Sequence, residues 1–116
     1  MGTTRTELYT NRHNALAQPL KALAHPARLA IVEHLLAQTD CINANFVELT
    51  GLAQPTITRH LAVLVEAGLV SSSSREGKTV YCIAPGAWQA LDGSLGTLIT
   101  LAASRTVACT PDASCC

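Results

Sequence analysis

The apolar positions change period along the chain, and the changes mark out its elements. Between residues 54 and 70, Ile57, Leu61 and Leu64 recur at spacings of four and three, the stripe of an amphipathic helix. Pro55 suits the first turn of such a helix, where its missing N–H costs nothing. Gly68 suits the left-handed position just past the end. The opposite face carries Thr56, Arg59 and Val63. An ordinary surface helix has the same stripe, so this stretch acquires meaning only from what flanks it.

Upstream, residues 4–23 place Leu8, Ala15, Leu16, Leu20 and Leu23 at helical positions, and Pro19 predicts a kink or a break into two shorter helices. A second helix opens at Pro26 and runs to about residue 38, with Leu29, Ile31, Val32, Leu35 and Leu36 forming a broad buried face. A short third helix covers about residues 44–50, with Phe46, Val47 and Leu49 pointing inward and Gly51 ending it. A brief turn leads to the helix at 54, so the two together form a helix-turn-helix.

Downstream the period shortens. Residues 69–75 and 79–84 read as two strands, the second β-branched and apolar, joined by a turn at Glu76-Gly77-Lys78. Arg75 and Lys78 flank that turn, where they can meet a phosphate backbone or simply be solvated. Pro85 restarts a helix over 86–104 with Trp88, Leu91, Leu95, Leu98 and Ala102 in a stripe that Ile99 and Leu101 widen. Gly93 and Gly96 weaken it by up to about 1 kcal/mol each, or allow close helix–helix approach. The predicted fold is mainly α with a small β-hairpin, a winged helix-turn-helix over residues 4–104. Residues 105–116 form a cysteine-containing tail. The first and last helices offer more apolar surface than one small core uses, which predicts a homodimer.

Composition narrows the chemistry. The 116 residues fit one domain. With one Phe, one Trp and two Tyr, its core must be aliphatic. The formal net charge is zero, against a strongly basic nucleic-acid binder but compatible with a reader that doubles its few phosphate contacts by dimerising. The polar segment Met1–Asn11 has no apolar run, and no stretch approaches the roughly 20 apolar residues of a membrane span, so a cytoplasmic protein is expected. In that compartment its five cysteines read as thiols before disulfides. The sequence holds no Cys-x-x-Cys and no cysteine at a basic helix N-terminus, which weighs against a thiol enzyme.

Three segments together carry a family likeness: Leu23-Ala24-His25-Pro26-Ala27-Arg28-Leu29, Ala53-Gln54-Pro55-Thr56-Ile57-Thr58-Arg59-His60-Leu61 and Glu66-Ala67-Gly68-Leu69-Val70. With the Arg75–Lys78 wing tip and the Val80-Tyr81-Cys82-Ile83 strand, residues 8–100 closely resemble the ArsR/SmtB family of bacterial metal-sensing repressors. The resemblance implies a homodimeric repressor that holds a pseudo-palindromic double-stranded operator until a ligand releases it. It also implies that the helix at 54 enters the major groove while the wing touches the neighbouring backbone. By position Gln54, Thr56, Thr58 and Arg59, with Arg75 and Lys78 on the wing, are the DNA-contact candidates, and Arg59 is the strongest. His60 lies nearer the buried flank and is expected to brace the motif. Ala53 stands where the family often has a capping Ser, at a cost on the order of 1 kcal/mol.

The resemblance also names places to look for a sensor. At the start of the third helix only Cys41 stands, with Asn43 in place of a second thiol. The last helix offers Asp92 and no histidine for zinc, and the second helix lacks the cysteine of a persulfide sensor. The tail holds Cys109, Cys115 and Cys116 within eight residues, a set whose softness suits As(III), methylated As(III) or Sb(III). Cys82 is a further ligand candidate if the tail folds back over the wing, or else a small buried residue. No cofactor is expected for DNA binding itself. The competing reading on the same scaffold is a repressor that answers thiol oxidation or persulfide.

Overall fold

The computed structural model describes residues 10–42 and 45–105. Its elements are α1 (Asn11–Leu23), α2 (Pro26–Leu36), α3 (Phe46–Thr50), α4 (Gln54–Glu66), β1 (Val70–Arg75), β2 (Lys78–Ile83) and α5 (Pro85–Ala103). This is the winged helix-turn-helix expected from the periodicity, and among the described residues no helix is long and apolar enough to cross a membrane.

Local chemistry sets the ends of the helices. Thr10 accepts the His13 N–H at the start of α1, and Pro19 sits inside that helix without dividing it. His25 caps α2 through Nδ1, which accepts the Ala27 N–H at 3.0 Å. Asn45 caps α3 by accepting the Glu48 N–H. Gly51, directly after α3, and Gly68, one residue beyond the Ala67 that caps α4, take φ of +73° and +78°, so each chain reversal uses the residue that reaches the left-handed region without strain.

The core is aliphatic. Ile31, Val32 and Leu35 of α2 pack with Phe46 of α3, Ile57, Leu61 and Leu64 of α4, and Leu69 and Val70 at the start of the wing. Several expected inward positions lie outside it. Leu29 and Leu36 are exposed because the buried face of α2 is the narrow Ile31–Val32–Leu35 edge. Val47 and Leu49 are exposed because α3 has only five residues and turns Phe46 alone inward.

The wing is a two-stranded antiparallel hairpin with Arg75 opposite Lys78 and Val70 opposite Ile83. Its loop is two residues, Glu76 and Gly77, at φ of +53° and +77°. Two positive φ angles are what a type I′ turn requires, and that turn matches strand twist. Lys78 therefore belongs to β2 rather than to the turn. The Trp88 indole donates to the Leu69 carbonyl at 2.9 Å, and the Ala84 N–H donates to the same oxygen at 3.1 Å. These bonds fasten the root of α5 to the junction of α4 and β1. Beyond that root α5 buries only Leu91. Among the described residues nothing lies within 4 Å of where a Gly93 Cβ would stand, so Gly93 serves no close helix approach there.

Candidate nucleic-acid interface and thiol pair

The buried stripe of α4 is Ile57, His60, Leu61 and Leu64. Its exposed side presents Gln54, Pro55, Thr58, Arg59, Ala62 and Glu66. Thr56 and Val63, expected on that side, are half-buried on its flank, because His60 and Leu64 rotate the buried stripe toward them. Gln54 and Thr58 are tied across one helical turn. Gln54 Nε2 donates to Thr58 Oγ1 at 3.3 Å, and the Thr58 hydroxyl donates to the Gln54 carbonyl at 3.1 Å. Arg59 is exposed and makes no hydrogen bond or ion pair among the described residues, so its five donors are available to a partner. Ala53 makes no side-chain cap bond.

His60 does brace the motif. It is 7% exposed, and its Nδ1 accepts from Arg28 Nε at 3.1 Å. Arg28 also donates to the carbonyls of Lys21 and Ala22, so one guanidinium joins the end of α1 to the middle of α4. The His25 ring lies against His60 with centroids 4.4 Å apart. Burial, then the neighbouring His25, Arg28 and Arg59, push the His60 pKa below its ordinary value. Sequence reasoning missed the Arg28 clasp, because it joins residues on different helices and leaves no periodic signal.

On the wing, Lys78 is exposed, but Arg75 is engaged by Asp40 at 3.3 Å. The Cys41 N–H, which donates to Asp40 Oδ1 at 2.7 Å, and then Arg75 hold the Asp40 carboxyl below the usual carboxylate range. Asp40 belongs to the α2–α3 connection, and that connection is stitched to the wing. Ile42 and Tyr81 exchange both backbone hydrogen bonds, at 2.9 and 2.8 Å, as an antiparallel bridge. The pair next along is Cys41 and Cys82. In such a ladder the neighbour of a hydrogen-bonded pair is a non-hydrogen-bonded pair, whose Cα atoms stand only about 4.5 Å apart. The observed Cα separation is 4.3 Å, and the two sulfurs form a disulfide. The expectation of thiols is thus overturned for these two cysteines, and Cys82 meets Cys41. The missing signal was register, which local sequence does not show for residues 41 positions apart. Cys109, Cys115 and Cys116 lie outside the described residues. Among the described residues no three His, Cys, Asp or Glu side chains are grouped to hold a metal ion.

The profile of "Bacterial regulatory protein, arsR family" matches residues 25–72, the span from the cap of α2 into β1. Over that span the chain is similar to the ArsR family. Members of this family are DNA-binding regulators rather than enzymes. Among relatives, the HTH-type transcriptional repressor SmtB of Mycobacterium tuberculosis is 32% identical over 71 residues, which is 61% of this chain and 52% of that protein. The probable mercury resistance operon repressor of Streptomyces lividans is 39% identical over 62 residues, 53% of this chain and 48% of that protein. The chain therefore spans about half the length of the curated relatives it matches. The crystal structure of the transcriptional repressor BigR from Xylella fastidiosa superposes with a TM-score of 0.58 at 26% identity, covering 90% of this chain and all of that one.

Proposed function

We propose that this protein is a cytoplasmic, homodimeric transcriptional repressor. It binds pseudo-palindromic operator DNA and releases it when a thiophilic ion occupies cysteine thiolates. The observation that carries the DNA-binding part is the exposed Arg59 guanidinium, unpaired among the described residues, on the outer face of α4, a helix backed by the Arg28–His60 clasp and followed directly by the wing. A helix that presents one exposed Arg in this way fits the major groove, and Arg matches guanine O6 and N7 with two parallel hydrogen bonds. Relatives named as repressors support the regulatory sign.

The inducer we favour is trivalent arsenic, as arsenite or methylarsenite, or antimonite, held by Cys109, Cys115 and Cys116. Three thiolates suit a soft trigonal centre. Cys82 is engaged with Cys41, so it can join that set only after reduction. The experiment is a release titration on DNA from the protein's own promoter region, under a non-thiol reductant, with As(III), methylated As(III), Sb(III) and mercuric ion in parallel. Release should correspond to a roughly 5- to 150-fold loss of affinity. Unchanged As(III) release from a Cys109→Ser, Cys115→Ser, Cys116→Ser protein would dismiss the tail as the sensor. Arg59→Ala should weaken the complex by about 1–3 kcal/mol, and unchanged affinity would dismiss α4 as the reading helix.

A further inference from the structure

We infer that Cys41 and Cys82 form a reversible thiol–disulfide site that clamps the wing to the α2–α3 connection and thereby lowers affinity for DNA. The inference rests on the reading of the protein as a DNA-binding repressor, but it uses neither the tail cysteines nor a metal ion. Three observations converge on one place. The Ile42–Tyr81 bridge sets Cys41 and Cys82 opposite each other at the close ladder spacing. Ser71, across the hairpin from Cys82, brings its Oγ to 3.3 Å from the Cys82 sulfur, where the hydroxyl can donate to a thiolate. The pair lines a surface groove together with Leu36, Gln38, Thr39 and Asp40.

The chemistry balances with a low-molecular-weight disulfide, of which oxidised glutathione is the probe. The Cys82 thiolate attacks one sulfur of that disulfide and expels one thiol molecule. The Cys41 thiolate then attacks the mixed disulfide at the Cys82 sulfur, closes the Cys41–Cys82 bond and expels the second. Two electrons pass from the cysteine pair to the reagent, and the two cysteine protons leave with the two thiols released.

The consequence for DNA follows from the neighbour of Cys41. Asp40 is anchored by the Cys41 N–H and holds the Arg75 guanidinium at 3.3 Å. Closing the disulfide fixes the backbone that carries Asp40 against the wing that carries Arg75. One wing cation is then neutralised by a carboxylate, and the hairpin loses the freedom to settle onto a phosphate backbone. Reduction leaves the bridge as the remaining backbone tie and frees the wing to move.

The test uses the full chain with Cys109, Cys115 and Cys116 replaced by Ser, so that Cys41 and Cys82 are the remaining thiols. It is equilibrated in reduced and oxidised glutathione. Intact mass should show the loss of two hydrogens on oxidation, reversed by reduction. Amide exchange at Ile42 and Tyr81 should slow in the oxidised form. Affinity for a mixed-sequence duplex, read by anisotropy across salt concentrations, should fall at least about fivefold on oxidation, the low end of ordinary coupling. Its salt slope should become shallower by about one for each phosphate that the clamped wing no longer reaches. Cys41→Ser and Cys82→Ser should each bind DNA equally in both glutathione mixtures. Stable glutathione adducts without the internal disulfide, or exchange rates unchanged by oxidation, would overturn the clamp. Equal DNA affinity in the two states overturns it alone. Binding in neither state removes the repressor reading, and the control of DNA affinity with it.

Discussion

The helix-turn-helix body and α5 are both rich in Leu, Ile and Ala, yet they treat those residues in opposite ways. In the body, Ile31, Ile57, Leu64 and Leu69 are fully buried at 0% exposure by neighbours from the same chain. In α5, Leu98, Ile99 and Leu101 stand 44%, 58% and 63% exposed, and only Leu91 is buried. The body can therefore close its core within one chain. The outer half of α5 has an apolar face that one chain leaves in water, at a cost that a second copy would remove. Stability of the body and pairing through α5 should then be separable by mutation.

The largest effect should come from the body. Leu64→Ala removes a fully buried side chain where α4 meets the rest of the core, and a loss of about 2–5 kcal/mol is expected. Chemical denaturation checks it, and a loss below about 1 kcal/mol would mean that the body is far less tightly packed than it looks. Next comes α5. Replacing Ile99 and Leu101 together by Glu should raise the dissociation constant of the proposed dimer by at least about a hundredfold, because each apolar side chain buried at a pairing surface is worth about 1.5–3 kcal/mol. Sedimentation reads the dissociation constant and circular dichroism reads the fold. A variant that stays dimeric would place the interface elsewhere, and one that unfolds as it dissociates would show that the body is not self-sufficient.

The same contrast separates what was legible in the sequence from what was not. Ile57, Leu61 and Leu64 announce α4 because their spacing is local, and Gly68 announces its end because only a few residue types accept that conformation. The uncovered stripe of α5 was visible for the same reason. The thiol pair was hidden because Cys41 and Cys82 meet only through the bridge between Ile42 and Tyr81. The half-burial of Thr56 was missed because an ideal wheel centres the buried face on Ile57, Leu61 and Leu64, whereas His60 also belongs to it. A polar residue in a buried stripe shifts the face, and its partner, Arg28, lies on another helix.

A smaller effect sharpens the body side of the comparison. His60→Ala leaves Arg28 Nε without its acceptor in a part-buried place, at a cost of about 1–3 kcal/mol. The wild-type bond needs an unprotonated Nδ1, and the folded pKa of His60 lies below its ordinary value of 6.5. As the pH falls, the unfolded chain takes up this proton first. The contribution is therefore intact above about 6.5 and is lost as the pH drops through the lower folded value. Denaturation midpoints followed downward from neutral pH should decline less steeply in His60→Ala than in the wild type, while the dimer constant stays unchanged. Parallel declines would assign the acid sensitivity to other groups.

The smallest effect is at the head of α4. Ala53 has the extended backbone of an N-cap, with φ −68° and ψ 150°, but no side chain to accept a hydrogen bond. Ala53→Ser supplies one. Such a replacement is ordinarily worth about 1 kcal/mol, but here two circumstances shrink it. Pro55 removes one of the N–H groups a cap would satisfy, and the Thr56 and Ile57 N–H groups already reach the Ala53 carbonyl at 3.0 and 3.1 Å. A gain of about 0.5 kcal/mol is the expected result, at the low end of the capping range. It should appear in the denaturation midpoint and not in the dimer constant, because the head of α4 belongs to the body. A gain as large as an ordinary cap would mean that the two backbone bonds at Ala53 are weaker than their distances suggest.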